Sequence, residues 1–197
     1  IVVSAAAIAA LLPLMLALAI LIFVTDGRPL LFRQARCGRG VKTFNILKFS
    51  TMRPNATNTM LHAAAGDARI TRLGSVMRRT KLDELPQFLN VLRGQMSVVG
   101  PRPEVPQFVA EWTEEDRHLI LSVRPGLTDP ATLQFVNEEE LLAESANPTQ
   151  TYVHDIIPRK LALYRVYVET MSFSGDMKLI AQTAVLVLSR LVGLLRP

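Results

Sequence analysis

Asp83 and Glu84 are the two acidic residues between Ala68 and Pro103, and they are adjacent. Seven basic residues share that window: Arg69, Arg72, Arg78, Arg79, Lys81, Arg93 and Arg102. Positive charge nearby lowers a carboxylate pKa, so the pair is expected to be held ionised. The same cations attract a polyanion such as a nucleotide diphosphate. An Asp-Glu pair on its own more often reads as a helix cap followed by a first-turn acid. Here the cationic setting makes it a candidate centre.

The surrounding residues predict how the pair is held. Pro86 lacks an N–H and fits best in a first helical turn. With Asp83 as N-cap, Pro86 falls where a donor has no helical partner anyway. Leu85, Phe88, Leu89 and Leu92 recur at helical spacing and are expected to form the buried face. This places both carboxylates at the positive end of a helix dipole. The window closes on Gly100-Pro101-Arg102-Pro103, where two prolines stiffen the loop that carries Arg102.

The chain has 197 residues, enough for one compact domain and a membrane element. Its single cysteine, Cys37, excludes an intrachain disulfide, and with three scattered histidines it argues against a zinc site. The net charge of +5 conceals segregation. Arg28 to Arg102 holds fourteen basic residues against Asp67, Asp83 and Glu84, a net +11. Glu104 to Asp155 holds eleven acids against Arg117 and Arg124, a net −9. The first half suits phosphate or anionic lipid, the second solvated surface.

Residues 1–24 are apolar apart from Ser4 and Pro13. A straight helix of that length measures about 36 Å, enough for a hydrocarbon core of about 30 Å. The chain opens inside this run without a methionine, so further residues are expected upstream. Pro13 removes a helix hydrogen bond at the centre. Either a kinked span results, or a helix–break–helix hairpin that enters and leaves on one side. Arg28, Arg33, Arg36, Arg39, Lys42, Lys48 and Arg53 follow, with no acid from Gly27 to Gly66. The positive-inside rule puts this flank in the cytoplasm, and its cations are expected to meet anionic lipid.

Leu30–Gln34 and Thr43–Phe49 read as strands of a β-hairpin around Gly38 and Gly40. Pro54–Ala65 is polar and Ala-rich, a loop or lid. Ile70, Leu73, Val76 and Met77 predict a helix up to Arg79. Val105–Leu121 reads as one acidic amphipathic helix, Leu127–Glu144 as strand then helix, and Ile156–Met171 as helix. Lys178–Pro197 fits either an interfacial helix or a packed core helix. There is no repeat, no glycine-rich phosphate loop and no nucleophilic Ser or Cys motif.

Taken in order, these fragments resemble the bacterial sugar transferases called monotopic phosphoglycosyl transferases, or polyisoprenyl-phosphate hexose-1-phosphate transferases. The likeness runs through the Pro-broken apolar start, Phe32-Arg33-Gln34 and Phe44 to Met52. It continues through Asp67 to Gly74, Leu82-Asp83-Glu84-Leu85-Pro86-Gln87, Asn90-Val91-Leu92, Met96 to Pro103 and Arg124 to Thr128. The chain departs from the common pattern at Leu12, where many members have Ser before the proline. It departs again at Ser50, where a basic residue is common, and at Asp129-Pro130-Ala131-Thr132, which stands where many have Gly-Trp-Ala-Gln.

The resemblance implies an α/β fold, mostly helical with a small β-hairpin. It implies a monotopic enzyme of the bacterial inner membrane, with residues 1–25 as a re-entrant helix broken at Pro13. Residues 26–197 would form a catalytic domain on the cytoplasmic face, ending in an interfacial helix. Such enzymes move a sugar-1-phosphate from a nucleotide-diphosphate sugar, here expected to be a UDP-sugar, to undecaprenyl phosphate. This is the first membrane step of glycoconjugate or exopolysaccharide assembly. Asp83 takes the place of the nucleophile that forms a phospho-aspartyl intermediate. Glu84 takes that of an orienting or metal-binding carboxylate, with Asp83 and Glu84 as the Mg²⁺ ligands. Arg78, Arg102 and Lys48 take the places of phosphate contacts. A homo-oligomer stays open. The rival from another class is a non-enzymatic, membrane-anchored basic module for anionic lipid or nucleic acid. It leaves the acidic pair unexplained, and the basic run lacks the interleaved aromatics of single-strand binders, so no nucleic-acid partner is expected. A polytopic transferase would need more apolar segments than this chain offers.

Overall fold

A computed structural model describes residues 2–53 and 67–195. The segment read as a loop or lid, Pro54–Ala65, lies outside the described residues. The architecture is mostly helical, with two small two-stranded sheets.

Helix α1, Val2–Thr25, is one α-helix with Pro13 inside it, rather than two helices parted by a non-helical break. Ser4, Ile8, Leu11, Met15, Leu18 and Ile22, with Ala7 and Ala19 beside them, are the less exposed positions, and the six form a stripe at alternating spacings of four and three. Leu12, Leu14, Leu16, Ile20, Leu21, Phe23 and Val24 are exposed. So much contiguous apolar surface on one helix suits a bilayer rather than water. Gly27, at φ +81°, ends the helix, and its N–H donates to the Ile22 carbonyl at 2.9 Å.

The predicted hairpin is present and longer in its first arm. β1, Leu31–Cys37, pairs antiparallel with β2, Thr43–Phe49, in a register that sets Leu31 opposite Phe49. Helix α2, Arg72–Arg79, is capped by Thr71, whose hydroxyl accepts from the Gly74 N–H at 2.9 Å. Gly74 lies hard against β2's exit: a Cβ there would stand 2.2 Å from the Thr51 carbonyl oxygen. Leu18 and Ile22 of α1, Phe49 of β2 and Met77 of α2 form one buried cluster, with Leu82 and Leu85 packed on it. A single glycine thus sets how closely α2 approaches the end of the hairpin.

Helix α3, Gln87–Leu92, lies between the hairpin and α1. Strand β3, Ser97–Val99, follows. Val105–Leu121 is not one helix but two, α4 (Pro106–Ala110) and α5 (Glu114–Ile120). The cause is Thr113, whose side chain accepts from the Asp116 N–H and starts a second helix. Strand β4, Gly126–Thr128, pairs in parallel with β3. This pairing was not foreseen. Then come α6 (Pro130–Gln134), α7 (Glu138–Ala143), α8 (Pro148–Thr151), a π-helical turn at Tyr152–Ile156, and α9 (Ile157–Thr170). Their main core contains Val105, Phe108, Trp112, Ile120, Leu142, Tyr152, Ile157 and Leu161.

The last helix, α10 (Phe173–Leu195), has no fully buried side chain among those described. It is therefore not a packed core helix. Thr183 bonds Thr128, and Arg190 donates to the carbonyls of Arg79 and Val136, so one face is tied to the body. Phe173, Met177, Val185, Leu188 and Val192 are exposed.

Candidate active site

The acidic pair is built differently from the expectation. Asp83 is not a helix N-cap. Lys81 adopts the left-handed region, at φ 59° and ψ 15°, which ends α2 and turns the chain into a 3₁₀ turn, Leu82–Glu84. The Glu84 N–H donates to the Lys81 carbonyl at 3.2 Å and the Leu85 N–H to that of Leu82 at 3.3 Å. Pro86 then stands just before α3, with no side-chain cap. The buried face also differs. Leu85, Phe88, Leu89 and Leu92 are only partly buried, whereas Asp83, Glu84, Gln87 and Asn90 are buried. Within this inward polar stripe, β2 holds Asn90 by hydrogen bonds and Glu84 through Lys48. Asn90 Oδ1 accepts from the Leu47 N–H at 3.0 Å, and Nδ2 donates to the Asn45 carbonyl at 2.8 Å.

Lys48 comes from the end of β2, and its Nζ lies 3.1 Å from Glu84 Oε1. Arg102 comes from the loop after β3. Its Nη2 pairs with Glu84 Oε1, and its Nη1 donates to Oε2 at 3.3 Å. Three contacts pin that loop. The Gly100 N–H donates to the Thr128 carbonyl, the Gly126 N–H to that of Pro101, and Arg36 to that of Pro103, at 3.1, 2.9 and 3.1 Å. Gly126 is required here, since a Cβ would stand 2.2 Å from the Gly100 nitrogen. Three segments far apart in sequence therefore bring Lys48, Glu84 and Arg102 together.

Arg78 is placed apart from that clamp. Its Nε donates to Thr51 Oγ1 at 2.9 Å, and Nη1 is 3.3 Å from Glu139. Arg36, expected at the lipid surface, is instead paired with Glu104 at 2.9 Å. The reason is burial of Glu104, a carboxylate that must find a cation when removed from water.

The two carboxylates diverge electrostatically. Burial alone would raise Glu84, but Arg102 and Lys48 override it and hold the carboxyl well below the usual range. Burial pushes Asp83 up, and Glu84 adds to this against the opposing field of Lys48. The cations therefore win outright at Glu84, whereas at Asp83 burial and the neighbouring Glu84 outweigh them. Burial likewise pushes Lys48 down, partly offset by Glu84, and Glu84 holds Arg102 up. Asp83 Oδ1 is buried without a hydrogen-bond donor.

Among the described residues no cluster of three or more His, Cys, Asp or Glu side chains forms a metal cage. Mg²⁺ does not need one, because it takes one or two carboxylates and completes its shell with water and substrate phosphates. The unclaimed Asp83 oxygen fits that mode, whereas both Glu84 oxygens are engaged by cations. Asp129 is fully buried, accepts from Thr132 through both oxygens, and lies within the field of Arg102. Gln87 is fully buried. Sequence reasoning did not single out either residue. Only the adjacency of Gln87 to the acidic pair hinted at it.

The bacterial sugar transferase family model matches residues 1–190. A UDP-glucose:undecaprenyl-phosphate glucose-1-phosphate transferase of Xanthomonas campestris pv. campestris is 36% identical over 188 residues, 93% of this chain and 37% of the relative. A Caulobacter vibrioides protein of the same name is 35% identical over 195 residues, 92% of this chain and 66% of the relative. An exopolysaccharide production protein of Rhizobium leguminosarum bv. phaseoli is 34% identical over 194 residues, 95% of this chain and 92% of the relative. The chain thus spans from about a third to nearly all of the length of these relatives. With its acidic pair, cationic clamp and apolar first helix, this chain belongs to the bacterial sugar transferase family.

Proposed function

We propose that this chain transfers a sugar-1-phosphate from a UDP-sugar to undecaprenyl phosphate through an acyl phosphate on Asp83. The observation that carries the reading is the unequal treatment of two adjacent buried carboxylates. Glu84 takes the cations, and Asp83 keeps an oxygen that no protein group claims. A carboxylate locked in ion pairs is a poor nucleophile, and one spared them in a dry site is a good one. Two relatives carry UDP-glucose and undecaprenyl phosphate in their names, which supports the substrate classes.

In the first step an Asp83 oxygen attacks the β-phosphorus. The bond from that phosphorus to the oxygen bridging the two phosphates breaks, and the nucleoside monophosphate leaves with that oxygen. In the second step an oxygen of the lipid phosphate attacks the same phosphorus. The Asp83 carboxylate leaves, and a polyprenyl-diphospho-sugar remains. Neither step needs a proton to be moved. Arg102 and Lys48 are poised to exchange part of their Glu84 contacts for the phosphoryl oxygens, as clamps do in phosphoryl transfer. Arg78, whose charge reaches Asp83, is a further phosphate contact. Mg²⁺, held by Asp83 and joined by Glu84 when its cations turn to substrate, would neutralise the diphosphate and the leaving group.

Residues 1–25 form the membrane element, and residues 26–197 the catalytic body on the cytoplasmic face of the inner membrane. The first helix is re-entrant, bent at Pro13. Ser4 Oγ donates to the Phe88 carbonyl at 2.8 Å, while Leu18 and Ile22 pack with Phe49 and Met77 of the same body. Ser4 and Ile22 are about 27 Å apart along a straight helix. A helix that crossed the bilayer would carry Ser4 to the far side, away from Phe88. The outward apolar face of α10 suits the interface, next to a lipid substrate.

The test is a panel of nucleotide-diphosphate sugars offered with undecaprenyl phosphate and Mg²⁺. The expected result is multiple-turnover nucleoside monophosphate release that depends on both the lipid and one class of donor, with about one release per enzyme when the lipid is left out. No release from any donor, by protein that is folded and bound to membranes, would contradict the reading.

A further inference from the structure

Gln87 opens α3 and is wholly buried, yet neither its Oε1 nor its Nε2 has a hydrogen-bond partner. Burying an amide unpartnered is unfavourable, so such a residue signals a use outside the resting contacts. Asn90, one turn later, is the contrast. It is equally buried, and its amide is met by Leu47, Asn45 and Gln95. The remaining unclaimed acceptor in this segment is Asp83 Oδ1. From Asp83 to Gln87 the chain is helical throughout, with Leu85 at φ −52° and ψ −38° and Pro86 at φ −62° and ψ −15°. The bonds here run from each N–H to the carbonyl three residues back, so four residues rise about 6–8 Å. The orphan donor and the orphan acceptor are therefore buried within about one turn of each other on the same short segment.

We propose that Gln87 is the positioning residue for Asp83, its Nε2–H donating to Oδ1 in the substrate-bound enzyme so that Oδ2 faces the phosphorus. This rests on the phospho-aspartyl reading above. A neutral donor suits the task, because it orients the carboxylate without the ion pair that would quench its attack. Lys48 and Arg102 are kept from that role by Glu84. A carboxylate oxygen has lone pairs enough for the amide and a cation together. Hydrogen bonds of this kind are often open in an empty site and tighten around substrate.

The test compares wild type, Gln87→Met, Gln87→Glu and Asp83→Asn in the first half-reaction. Each is given UDP-sugar and Mg²⁺ without lipid, and nucleotide release and protein labelling are timed. Methionine keeps the length and loses the amide. It should slow labelling about 10- to 150-fold, the worth of one hydrogen bond to a charged group, with KM for the donor little changed. Its melting temperature should equal or exceed that of wild type, because an unpartnered buried amide has been removed. Gln87→Glu keeps the shape but sets a like charge beside Asp83, and should be slower still. Labelling of Gln87→Met at the wild-type rate overturns the proposal. So does a lowered melting temperature with KM and rate impaired together, which marks a packing role. If wild type itself forms no adduct, the phospho-aspartyl reading fails and this proposal with it. Wild-type labelling alongside an indifferent Gln87→Met overturns the proposal alone.

Discussion

Two buried carboxylate centres lie on either side of the Pro101–Pro103 loop, and they are finished differently. At Glu104, Arg36 and the Val105 N–H meet Oε1, and the Tyr152 hydroxyl meets Oε2. Lys160 adds its charge nearby, itself paired with Glu138 at 2.5 Å. At the acidic pair, Glu84 is similarly satisfied, but Asp83 Oδ1 and the whole Gln87 amide are left without partners. The first centre fastens the loop. On the reading proposed above, the second uses the fastened loop and keeps its unpaired groups for substrate. Arg36 Nε at the first centre also lacks a partner, as does Trp112 Nε1, but among the described residues Asp83 Oδ1 is the buried carboxylate oxygen left unclaimed.

The largest difference between the centres should come from paired substitutions. Glu84→Gln leaves Lys48 and Arg102 without their anion and should lower turnover by about a hundredfold or more, over and above the stability lost by breaking a buried ion pair. Glu104→Gln should cost stability in the same way and spare the chemistry. Breaking one partner of a buried ion pair costs about 3–5 kcal/mol, read in denaturant melts, with activity lost only as far as the loop loosens. Its pH dependence follows from the direction of its shift. Burial alone would raise Glu104, but Arg36, Lys160 and the Tyr152 hydroxyl hold its carboxyl below the ordinary 4.5. A folded-state value below the unfolded one adds stability above the unfolded pKa. That stability is lost as pH falls through the folded value. Wild type should therefore weaken progressively below about pH 4.5, and Glu104→Gln should flatten that decline.

Next in size is the clamp itself. Arg102→Ala should cut turnover by more than about tenfold, since a charge-assisted phosphate contact in a dry site contributes a few kcal/mol. Arg78→Ala should do less, because its guanidinium rests on Thr51 and Glu139 rather than on the acidic pair. Equal losses from both, measured as kcat/KM, would count against a clamp centred on Glu84.

How much of this was legible in the sequence depended on the range of the interactions. The acidic pair was visible as two adjacent acids in a cationic window, and the hairpin as alternating strands around Gly38 and Gly40. The long apolar first helix announced itself by length and apolarity. The union of Lys48, Glu84 and Arg102 was not visible, because it needs β2, a 3₁₀ turn and a loop brought together across 36 and 18 residues. The β3–β4 pairing was missed because three-residue strands show no alternation. Gln87 was missed for a deeper reason. A glutamine in a short helix looks like polar surface until burial is known.

The smallest expected effects separate two arginines of the basic run. Arg39 is exposed, and Arg39→Ala should weaken binding to anionic vesicles by about 1 kcal/mol, an effect that fades with salt. Arg36→Ala should leave vesicle binding nearly unchanged and lower stability instead, through Glu104 and the Pro103 carbonyl. Two equal losses of vesicle binding would place Arg36 back at the lipid surface.

The central claim is that Asp83 carries the transferred phosphosugar, and trapping that adduct tests it most directly. Enzyme, UDP-sugar labelled in the sugar phosphate, and Mg²⁺ are mixed without lipid, and the protein is digested and mapped. The account predicts label on Asp83, roughly one nucleoside monophosphate released per enzyme, and neither in Asp83→Asn. Release only after undecaprenyl phosphate is added, with no labelled peptide, would contradict it and favour direct displacement in a ternary complex.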